Sequence, residues 1–434
     1  MKYKNINKIW KEAKKIIPTG NHLLSKNPDI FLPGRWPTYY KKAKGFYIWD
    51  LNGKKYTDLC LMGVGTNLLG YANSKIDNKV IKSIRESNMS SLNSIEEFML
   101  SKELIKIHPW FDMVRFARTG AEANAVAIRI ARAFTKKDNV AICGYHGWHD
   151  WYMAANLKKK SLDSHLFPNL KTEGVVKNLK STIFSFEYNN LEQLKKIIKN
   201  KNVGTIFMEV SRSYKPKNNF LKEVRRLATA NNIILIFDEC SSGFRECYGG
   251  LHKKFNVKPD MAMFGKALGN GYAITAVLGT KRVMKKAEDT FISSTFWSER
   301  IGYVAGLSVL KEMKKLKPWK KTNKLGRYIK KSWALLAKRH QLSIEILGLD
   351  SMPFFIFESK NHNLYKSYIT QEFLKKGILA SNVIYVSVVH SKKVIDEYLN
   401  SLDFIFKKIK DSEIKKKKVV VNGKLAQVGM SRLN

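Results

Sequence analysis

The chain has 434 residues, 44% of them hydrophobic, and carries 78 Lys and Arg against 36 Asp and Glu. It is longer than one ordinary hydrophobic core requires, and its hydrophobic content excludes an intrinsically disordered protein. The formal net charge of +42 suggests an anionic partner such as nucleic acid. The lysines are scattered along the chain, however, and only Lys415–Lys418 forms a run of four. We therefore expect no nucleic-acid-binding function.

The cysteine content and the lack of long apolar runs predict the cellular compartment. The four cysteines include no C-x-x-C pair, so the sequence indicates neither a disulfide framework nor a zinc site. The opening residues, MKYKNINKIW, do not resemble a signal sequence, because they are charged throughout. No run of about 18 apolar residues is available to span a bilayer. We expect a cytoplasmic protein with no bound metal and no membrane partner.

The predicted elements begin with a helix and a hairpin. Apolar residues at helical spacing predict a helix over residues 6–17 that ends at Pro18. In KGFYIWDLNGKKYTDLC, two apolar stretches around Asn52–Gly53 predict a β-hairpin. We assign residues 1–64 to an N-terminal segment that joins a smaller domain.

From about Asn93 the pattern alternates between helix and strand. The predicted helices are residues 95–108, 122–134 and 219–231. The predicted buried strands are residues 113–117 and 140–143 and the runs VGTIFMEV and NIILIFDEC. Alternation at this spacing predicts a mostly parallel, doubly wound sheet, so the fold class is α/β. We assign residues 65–305 to this large domain.

The remaining residues, 306–434, are predicted to form a smaller α+β domain. Long helices are expected over residues 301–315 and 325–339. They are followed by a strand in MPFFIFES, a helix over 366–376, a strand in VIYVSVV and a helix over 393–410.

Chemically informative residues fall where predicted sheet strands end, which is where open α/β sheets place their ligands. In ARTGAEANAVAIRIARAF, Thr119 and Gly120 lead from a strand directly into a helix. Backbone amides and the helix dipole favour an anion at such a position. Alternatively, Thr119 is only an N-cap, with Glu122 adding favourable charge in the first turn. These residues alone leave both interpretations open.

A carboxylate and a lysine complete the set. In IFDECSSGFRE, Asp238 ends an apolar strand, where it needs a partner such as a protonated ring nitrogen, or caps the next turn through Ser241 or Ser242. In DMAMFGKALGNGYAI, the apolar approach to Lys266 favours the neutral amine, a nucleophile that forms Schiff bases. Together with an anion site, these two groups describe a site for pyridoxal phosphate.

These motifs resemble those of class III (fold-type I) aminotransferases, in particular the glutamate-1-semialdehyde aminomutase-like branch. The resemblance covers about residues 17–399 and rests on IWDLNGKKYTDL, MVRFARTGAEANAVAIRIARAFT, GYHGWHDWY, IFDECSSGFR and PDMAMFGKALGNGY. It implies a fold-type I transferase with pyridoxal 5'-phosphate as cofactor. It also implies a homodimer with shared active sites.

The resemblance implies roles for individual residues. Lys266 would be the Schiff-base lysine, and Asp238 would pair with the pyridinium nitrogen. The other cofactor-binding residues would be Thr119, Gly120, Ala121, Tyr145, His146, Ser241 and, contributed by the second subunit, Thr295.

Four further residues are candidates for contact with the substrate. Glu209 matches a family acid near the substrate pocket, and Arg300 carries a guanidinium that can bind an anionic group through two hydrogen bonds. Arg35 lies near the place where the aminomutase has a substrate arginine. Trp148 either lines the mouth of the pocket or packs beneath it.

Several positions depart from the family pattern. Ala121 replaces a hydroxyl that would contact the phosphate, and Arg118 replaces the usual asparagine. We expect transfer of an amino group from a small-molecule donor to a carbonyl acceptor in carbohydrate or surface-polymer precursor synthesis. The alternatives are an intramolecular aminomutase and a basic anionic-polymer-binding protein with a degenerate cofactor site.

Overall fold

The structure is a computed structural model that describes residues 6–158, 161–162 and 171–427. The chain divides into two compact units. The first takes in the described residues up to Asn73 and those from Lys320 onward, and the second runs from Ser74 to Trp319. The domain boundaries expected from the sequence, after residues 64 and 305, fall somewhat before these positions.

The first unit begins with a helix and an antiparallel meander. Its elements here are α1 (Ile6–Ile16), β1 (Tyr40–Lys44), β2 (Tyr47–Asp50) and β3 (Lys55–Asp58). β2 and β3 pair antiparallel across the Asn52–Gly53 turn, so the predicted hairpin is confirmed.

The second unit is built on a seven-stranded sheet. Its strands are β4 (Met113–Ala117), β5 (Val140–Cys143), β6 (Ile183–Ser185), β7 (Thr205–Glu209), β8 (Ile234–Glu239), β9 (Met261–Phe264) and β10 (Thr275–Gly279). Its helices are α2 (Ser74–Glu86), α3 (Ile95–Ile107), α4 (Gly120–Thr135), α5 (Asp150–Met153), α6 (Leu191–Lys201), α7 (Phe220–Ala230), α8 (Lys281–Met284) and α9 (Arg300–Leu316).

The order of the strands places the ends of β7, β8 and β9 side by side. The sheet runs β4-β10-β9-β8-β7-β5-β6, and the strands from β9 to β6 pair in parallel. Every residue of β7, β8 and β9 is buried, as expected for strands with both faces covered. The predicted mostly parallel sheet is confirmed. β10, which pairs antiparallel with both β4 and β9, was not predicted, because its short apolar run follows a glycine-rich loop.

The chain then returns to the first unit. Its last elements are α10 (Pro318–Arg339), β11 (Ile344–Leu349), β12 (Met352–Phe357), α11 (His362–Lys375), β13 (Ile378–Leu379) and α12 (Lys392–Ile414). A second hydrophobic core, separate from that of the large sheet, packs around the fully buried Trp333 and Phe355. No helix in the described part of the chain is both long and apolar enough to cross a membrane.

The strand predicted in VIYVSVV is wrong. Residues 383–389 form only an isolated bridge between Val383 and Phe354. The backbone N–H groups of Tyr385, Val386 and Val388 donate to carbonyls in different segments, those of Cys60, Ser351 and Leu68. A ladder needs one partner strand in register, so this apolar run is partly buried without being a strand.

Gly326, in α10, is required by a close approach of the chain. A Cβ at this position would lie 1.6 Å from the backbone oxygen of Asp350. Alanine is normally better than glycine inside a helix by about 1 kcal/mol. We nevertheless expect Gly326→Ala to lower the free energy of unfolding by about 1–3 kcal/mol, the cost of overpacking. Urea unfolding followed by circular dichroism measures the change.

Lys324→Ala is the matched control, because Lys324 is exposed on the same helix. It should change the free energy of unfolding by no more than about 0.5 kcal/mol. Equal stability of the two variants would show that the chain does not approach Gly326 this closely.

Candidate active site

The carboxylate of Asp238 is buried at the end of β8. Its Oδ2 accepts a hydrogen bond from Asn124 Nδ2 at 2.9 Å and lies 3.0 Å from His146 Nδ1. Its Oδ1 accepts one from the backbone N–H of Cys240 at 3.0 Å. Burial raises the pKa of this carboxyl, but His146, the Cys240 N–H and Asn124 together bring the pKa below its ordinary value. Asp238 is therefore an ionised carboxylate in a buried place.

His146 is fully buried next to this carboxylate. Its ring lies edge-on to Phe207, with centroids 4.6 Å apart, and nearly parallel to Trp151 at 6.4 Å. Because Nδ1 faces the carboxylate, Nδ1 carries the proton that it shares with Asp238. The Nε2 atom is buried and has no hydrogen-bond partner among the described residues. His146 is thus held in one orientation by aromatic packing on its other sides.

Asn124 was missed by the sequence analysis. Besides Asp238, its amide donates to the backbone oxygen of His146 at 3.0 Å, so it joins the two residues. The available signal was a polar residue on the buried, alanine-rich face of α4, between Ala123 and Val126. A buried amide needs hydrogen-bond partners. In an otherwise apolar helix face it indicates that a polar group lies opposite it, where the helix packs on the sheet.

Lys266 follows β9 and Gly265 in an unusual backbone conformation. Its φ of +41° lies in the left-handed region, which costs a residue with a side chain about 1–2 kcal/mol. Such conformations concentrate at functional sites. Its Nζ donates a hydrogen bond to Ser241 Oγ, in the turn that follows Asp238 on β8. The structure therefore brings the lysine, the serine and the carboxylate to neighbouring strand ends.

Thr119 is the N-cap of α4. Its hydroxyl accepts a hydrogen bond from the Glu122 N–H at 3.3 Å and donates to Glu122 Oε2 at 3.0 Å. That carboxylate in turn accepts the backbone N–H of Thr119 at 2.8 Å, which completes a capping box. The capping interpretation of Thr119 is thus observed. An α-helix leaves its first N–H groups, here those of Gly120 and Ala121, without partners of its own, so they are available to an anion.

Cys240 connects the start of α4 with the residue before Lys266. A Cβ at Gly120 would lie 3.3 Å from Cys240 Sγ, and one at Gly265 would lie 3.5 Å from the same sulfur. Thr275, on the intervening β10, donates to the backbone oxygen of Thr119 at 3.2 Å. The helix amides, the lysine and the carboxylate therefore converge at one edge of the sheet.

Glu209 and Tyr145 extend this edge. Glu209 ends β7 directly opposite Asp238 in the register of β7 and β8. Its Oε2 accepts the backbone N–H of Tyr145 at 3.2 Å. The half-buried Tyr145 ring stands edge-on to Tyr152, with centroids 6.1 Å apart. An aromatic ring and a second carboxylate thus flank the buried Asp238.

Arg300 has structural partners in the second unit. Its guanidinium makes a two-point contact with Glu96, at 2.7 Å from Nη2 and 3.1 Å from Nε, and lies 3.0 Å from Glu86. These bonds join the start of α9 to α2 and α3. The contacts favour a structural role over the substrate-binding role expected from the sequence.

The remaining predicted residues lie at the surface. Trp148 is 70% exposed and stacks on His149, with centroids 4.6 Å apart, and Thr295 is exposed. Arg35 belongs to the first unit, where it is exposed. Among the described residues there is no cluster of His, Cys, Asp or Glu side chains that could hold a metal ion.

The chain belongs to the class-III aminotransferases, since the model of that family matches residues 33–406. Its cofactor is accordingly pyridoxal phosphate. The site fits this molecule, because it offers an amine in Lys266, an ionised carboxylate in Asp238 and free amides at the start of α4.

The relatives of this chain include an aminotransferase and an aminomutase. The 3-aminobutyryl-CoA aminotransferase of Cloacimonas acidaminovorans (strain Evry) is 32% identical over 375 residues, 84% of this chain and 86% of the relative. The glutamate-1-semialdehyde 2,1-aminomutase of Nitrosopumilus maritimus (strain SCM1) is 33% identical over 432 residues, 93% of this chain and 99% of the relative. The predicted family is therefore confirmed.

Solved structures share the fold. The Sphingopyxis sp. MTA144 FumI protein, in its PLP internal aldimine form, has a TM-score of 0.84 at 20% identity and covers 95% of this chain and 98% of its own. An omega-transaminase from Sphaerobacter thermophilus has a TM-score of 0.81 at 19% identity, over 93% of this chain and 97% of its own. The predicted fold-type I class is confirmed by this likeness.

The buried carboxylate makes stability depend on acid pH. The pKa of Asp238 in the folded protein lies below its ordinary 3.8, so its stabilising effect is present above that pH and is lost as the pH falls through the folded pKa. We expect Asp238→Asn to be less stable than the original protein at about pH 6 and the difference to shrink at about pH 3. Thermal unfolding of the cofactor-free proteins measures both differences.

Asp138→Asn controls for the loss of one negative charge, because Asp138 is exposed. A difference between Asp238→Asn and the original that stays constant or grows on acidification would contradict the buried, ionised state of Asp238.

Proposed function

We propose that this class-III aminotransferase moves an amino group from a small-molecule donor to a carbonyl carbon of a second small molecule, with the cofactor attached to Lys266. The observation that carries this proposal is the convergence of Lys266, the ionised Asp238 and the amides of α4 at one edge of the sheet. Lys266 offers an amine for an aldehyde, Asp238 a negative charge for a protonated ring nitrogen, and the amides of α4 hydrogen-bond donors for a phosphate.

Each residue has a defined task. When bound, pyridoxal phosphate supplies an aldehyde and an electron-withdrawing ring. Lys266 Nζ would hold the aldehyde and, as a free amine, would move the proton of the carbon that carries the donor's amino group. Asp238 would hold a proton on the ring nitrogen, and His146 keeps the carboxylate ionised and oriented. The N–H groups of Gly120 and Ala121 bind the phosphate.

The working unit is a homodimer with shared active sites. Thr119 has its single hydroxyl proton directed at Glu122, and Ala121 has no hydroxyl, so this helix end offers backbone amides only. Thr295 is exposed beside the apolar and exposed Phe291 and Phe296, as expected of a surface that a second subunit covers. These observations support Thr295 as a hydroxyl donor to the phosphate in the other subunit.

The acceptor belongs to carbohydrate or other surface-polymer precursors. Arginine is the usual partner of a substrate carboxylate in this family, and residues 378–391 contain none. Arg300 is engaged by Glu86 and Glu96. These contacts support an acceptor whose polar groups are hydroxyls in place of a carboxylate.

An intramolecular aminomutase is the second candidate. It is favoured by the 33% identity with a glutamate-1-semialdehyde 2,1-aminomutase over 99% of that relative. In such a reaction both half-reactions take place on one substrate, with the same tasks for Lys266 and Asp238.

Lys266→Ala should abolish amino transfer, by about a thousandfold or more, while leaving the circular dichroism spectrum unchanged. The original protein, incubated with pyridoxal phosphate and reduced with borohydride, should carry the cofactor on the peptide that contains Lys266. Lys281→Ala is the matched control, since Lys281 is exposed at the start of α8. Cofactor on scattered surface lysines would instead indicate a degenerate site and favour the basic anionic-polymer binder.

Substrate assays separate the two candidate reactions. With glutamate as ¹⁵N-labelled donor, we expect label to appear on a keto sugar. A 2-oxo acid and glutamate-1-semialdehyde serve as competing acceptors, and mass spectrometry detects the products. Conversion of glutamate-1-semialdehyde to its isomer without any donor would establish the aminomutase and contradict the proposed transfer.

A further inference from the structure

Arg118 holds the segment that carries Thr295. It lies between β4 and the α4 N-cap, and its side chain reaches the residues that immediately precede α9. Its Nε donates to the backbone oxygen of Phe296 at 2.6 Å, and its Nη2 donates to those of Trp297, at 3.1 Å, and Glu299. A guanidinium has several N–H donors in a rigid fork, so it can fix consecutive carbonyls at once, which a lysine cannot do.

The same segment has a second attachment. Glu122 Oε1 accepts a hydrogen bond from Trp297 Nε1 at 3.2 Å, while its Oε2 accepts the backbone N–H groups of Arg118 and Thr119. One carboxylate therefore completes the α4 cap and ties that cap to Trp297. The helix end that binds the phosphate and the Thr295 segment are joined in a single hydrogen-bonded unit.

Arg118 makes three of the side-chain hydrogen bonds that the carbonyls of residues 296–299 accept from described residues, and the hydroxyl of Tyr303 adds one to Trp297. From Ser293 to Phe296 every residue is exposed, and only a short 3-10 turn, Thr295–Ser298, is formed. Without those bonds, the backbone carbonyls of this exposed stretch would accept hydrogen bonds from water instead. Its conformation therefore depends on the side chains that bind its carbonyls.

The position of Arg118 leaves two possibilities. It directly precedes Thr119 and Gly120, so it could act on the cofactor site of its own subunit. All the described hydrogen bonds of its guanidinium, however, lead away from those amides to Ala273 and to the Thr295 segment, and only its backbone N–H joins the α4 cap. We therefore expect Arg118 to act on the segment that its side chain binds.

We infer that Arg118 is a positioning residue for the active site of the other subunit, because it fixes the Thr295 segment that supplies a hydroxyl to that subunit's phosphate. The inference rests on the proposed function, in particular on the shared homodimer. It makes each subunit's α4 cap a structural support for the neighbouring cofactor site.

Two heterodimers with the same substitutions test this inference. In the first, one subunit carries Arg118→Ala and the other Lys266→Ala. In the second, one subunit carries both substitutions and the other carries none. Each heterodimer retains one Lys266, but only in the second does the facing Thr295 segment lack Arg118. Differently tagged subunits allow each to be purified, and absorbance on titration with pyridoxal phosphate measures binding at the retained lysine.

We expect the first heterodimer to bind the cofactor as the original protein does. The second should bind it about 10- to 100-fold more weakly, as for loss of one hydrogen bond to a charged group. The reverse order would show that Arg118 acts within its own subunit, and equal affinities would show a merely structural effect. Either result overturns the inference.

Hydrogen exchange of the cofactor-free protein provides a second readout. Arg118→Ala, and equally Arg118→Lys, should speed exchange of the amides of residues 295–299 and leave α7 unchanged. Arg226→Ala is the matched control, because Arg226 is an exposed arginine of α7 that pairs with Glu223. Unchanged exchange at 295–299 in Arg118→Ala would contradict the inference.

Failure of the proposed function would be seen separately. It would appear as an original protein that does not attach pyridoxal phosphate at Lys266. An original protein that binds the cofactor at Lys266 but is a monomer by light scattering would overturn the inference and the shared site on which it depends, while the proposed amino transfer would stand.

Discussion

A buried carboxylate that stays ionised is the constraint on which the site depends. Burial away from water disfavours the ionised form of Asp238 and raises its pKa. Hydrogen-bond donors to its oxygens favour the ionised form and lower the pKa again. The donors come from three separate segments: Asn124 on α4, His146 after β5 and the backbone of Cys240 after β8. The charge is therefore stable only when α4 and the two strand ends are assembled together.

The start of α4 connects the candidate cofactor site to a distant surface segment. Its cap uses the hydroxyl of Thr119 and the carboxylate of Glu122, so its backbone amides are what it presents to an anion. The same Glu122 binds Trp297, and the neighbouring Arg118 binds the chain on both sides of Trp297. A helix cap that in most proteins is purely local here holds a distant surface segment in place.

How much could be predicted depended on whether the signal was local. β4 and β5 were predicted with the bounds that the structure shows, because each is a short apolar run between helix signals. VIYVSVV has the same apolar character, but its amides donate to separate segments of the chain. Apolar composition predicts that a segment is buried and does not predict which segments it pairs with. β10 was missed because its short apolar run follows a glycine-rich loop, and its antiparallel pairing with β4 and β9 appears only in the structure.

The sequence by itself determined the family and indicated the residues of the candidate site. Lys266, Asp238 and the Thr119–Gly120 pair each follow an apolar strand, so their places at the sheet edge follow from neighbouring residues along the chain. Only the tertiary structure decided the partners. Arg300, a candidate for binding substrate, instead pairs with Glu96, which lies 204 positions away. Such pairings are set by how helices pack, and packing brings together residues whose order along the chain carries no record of the contact.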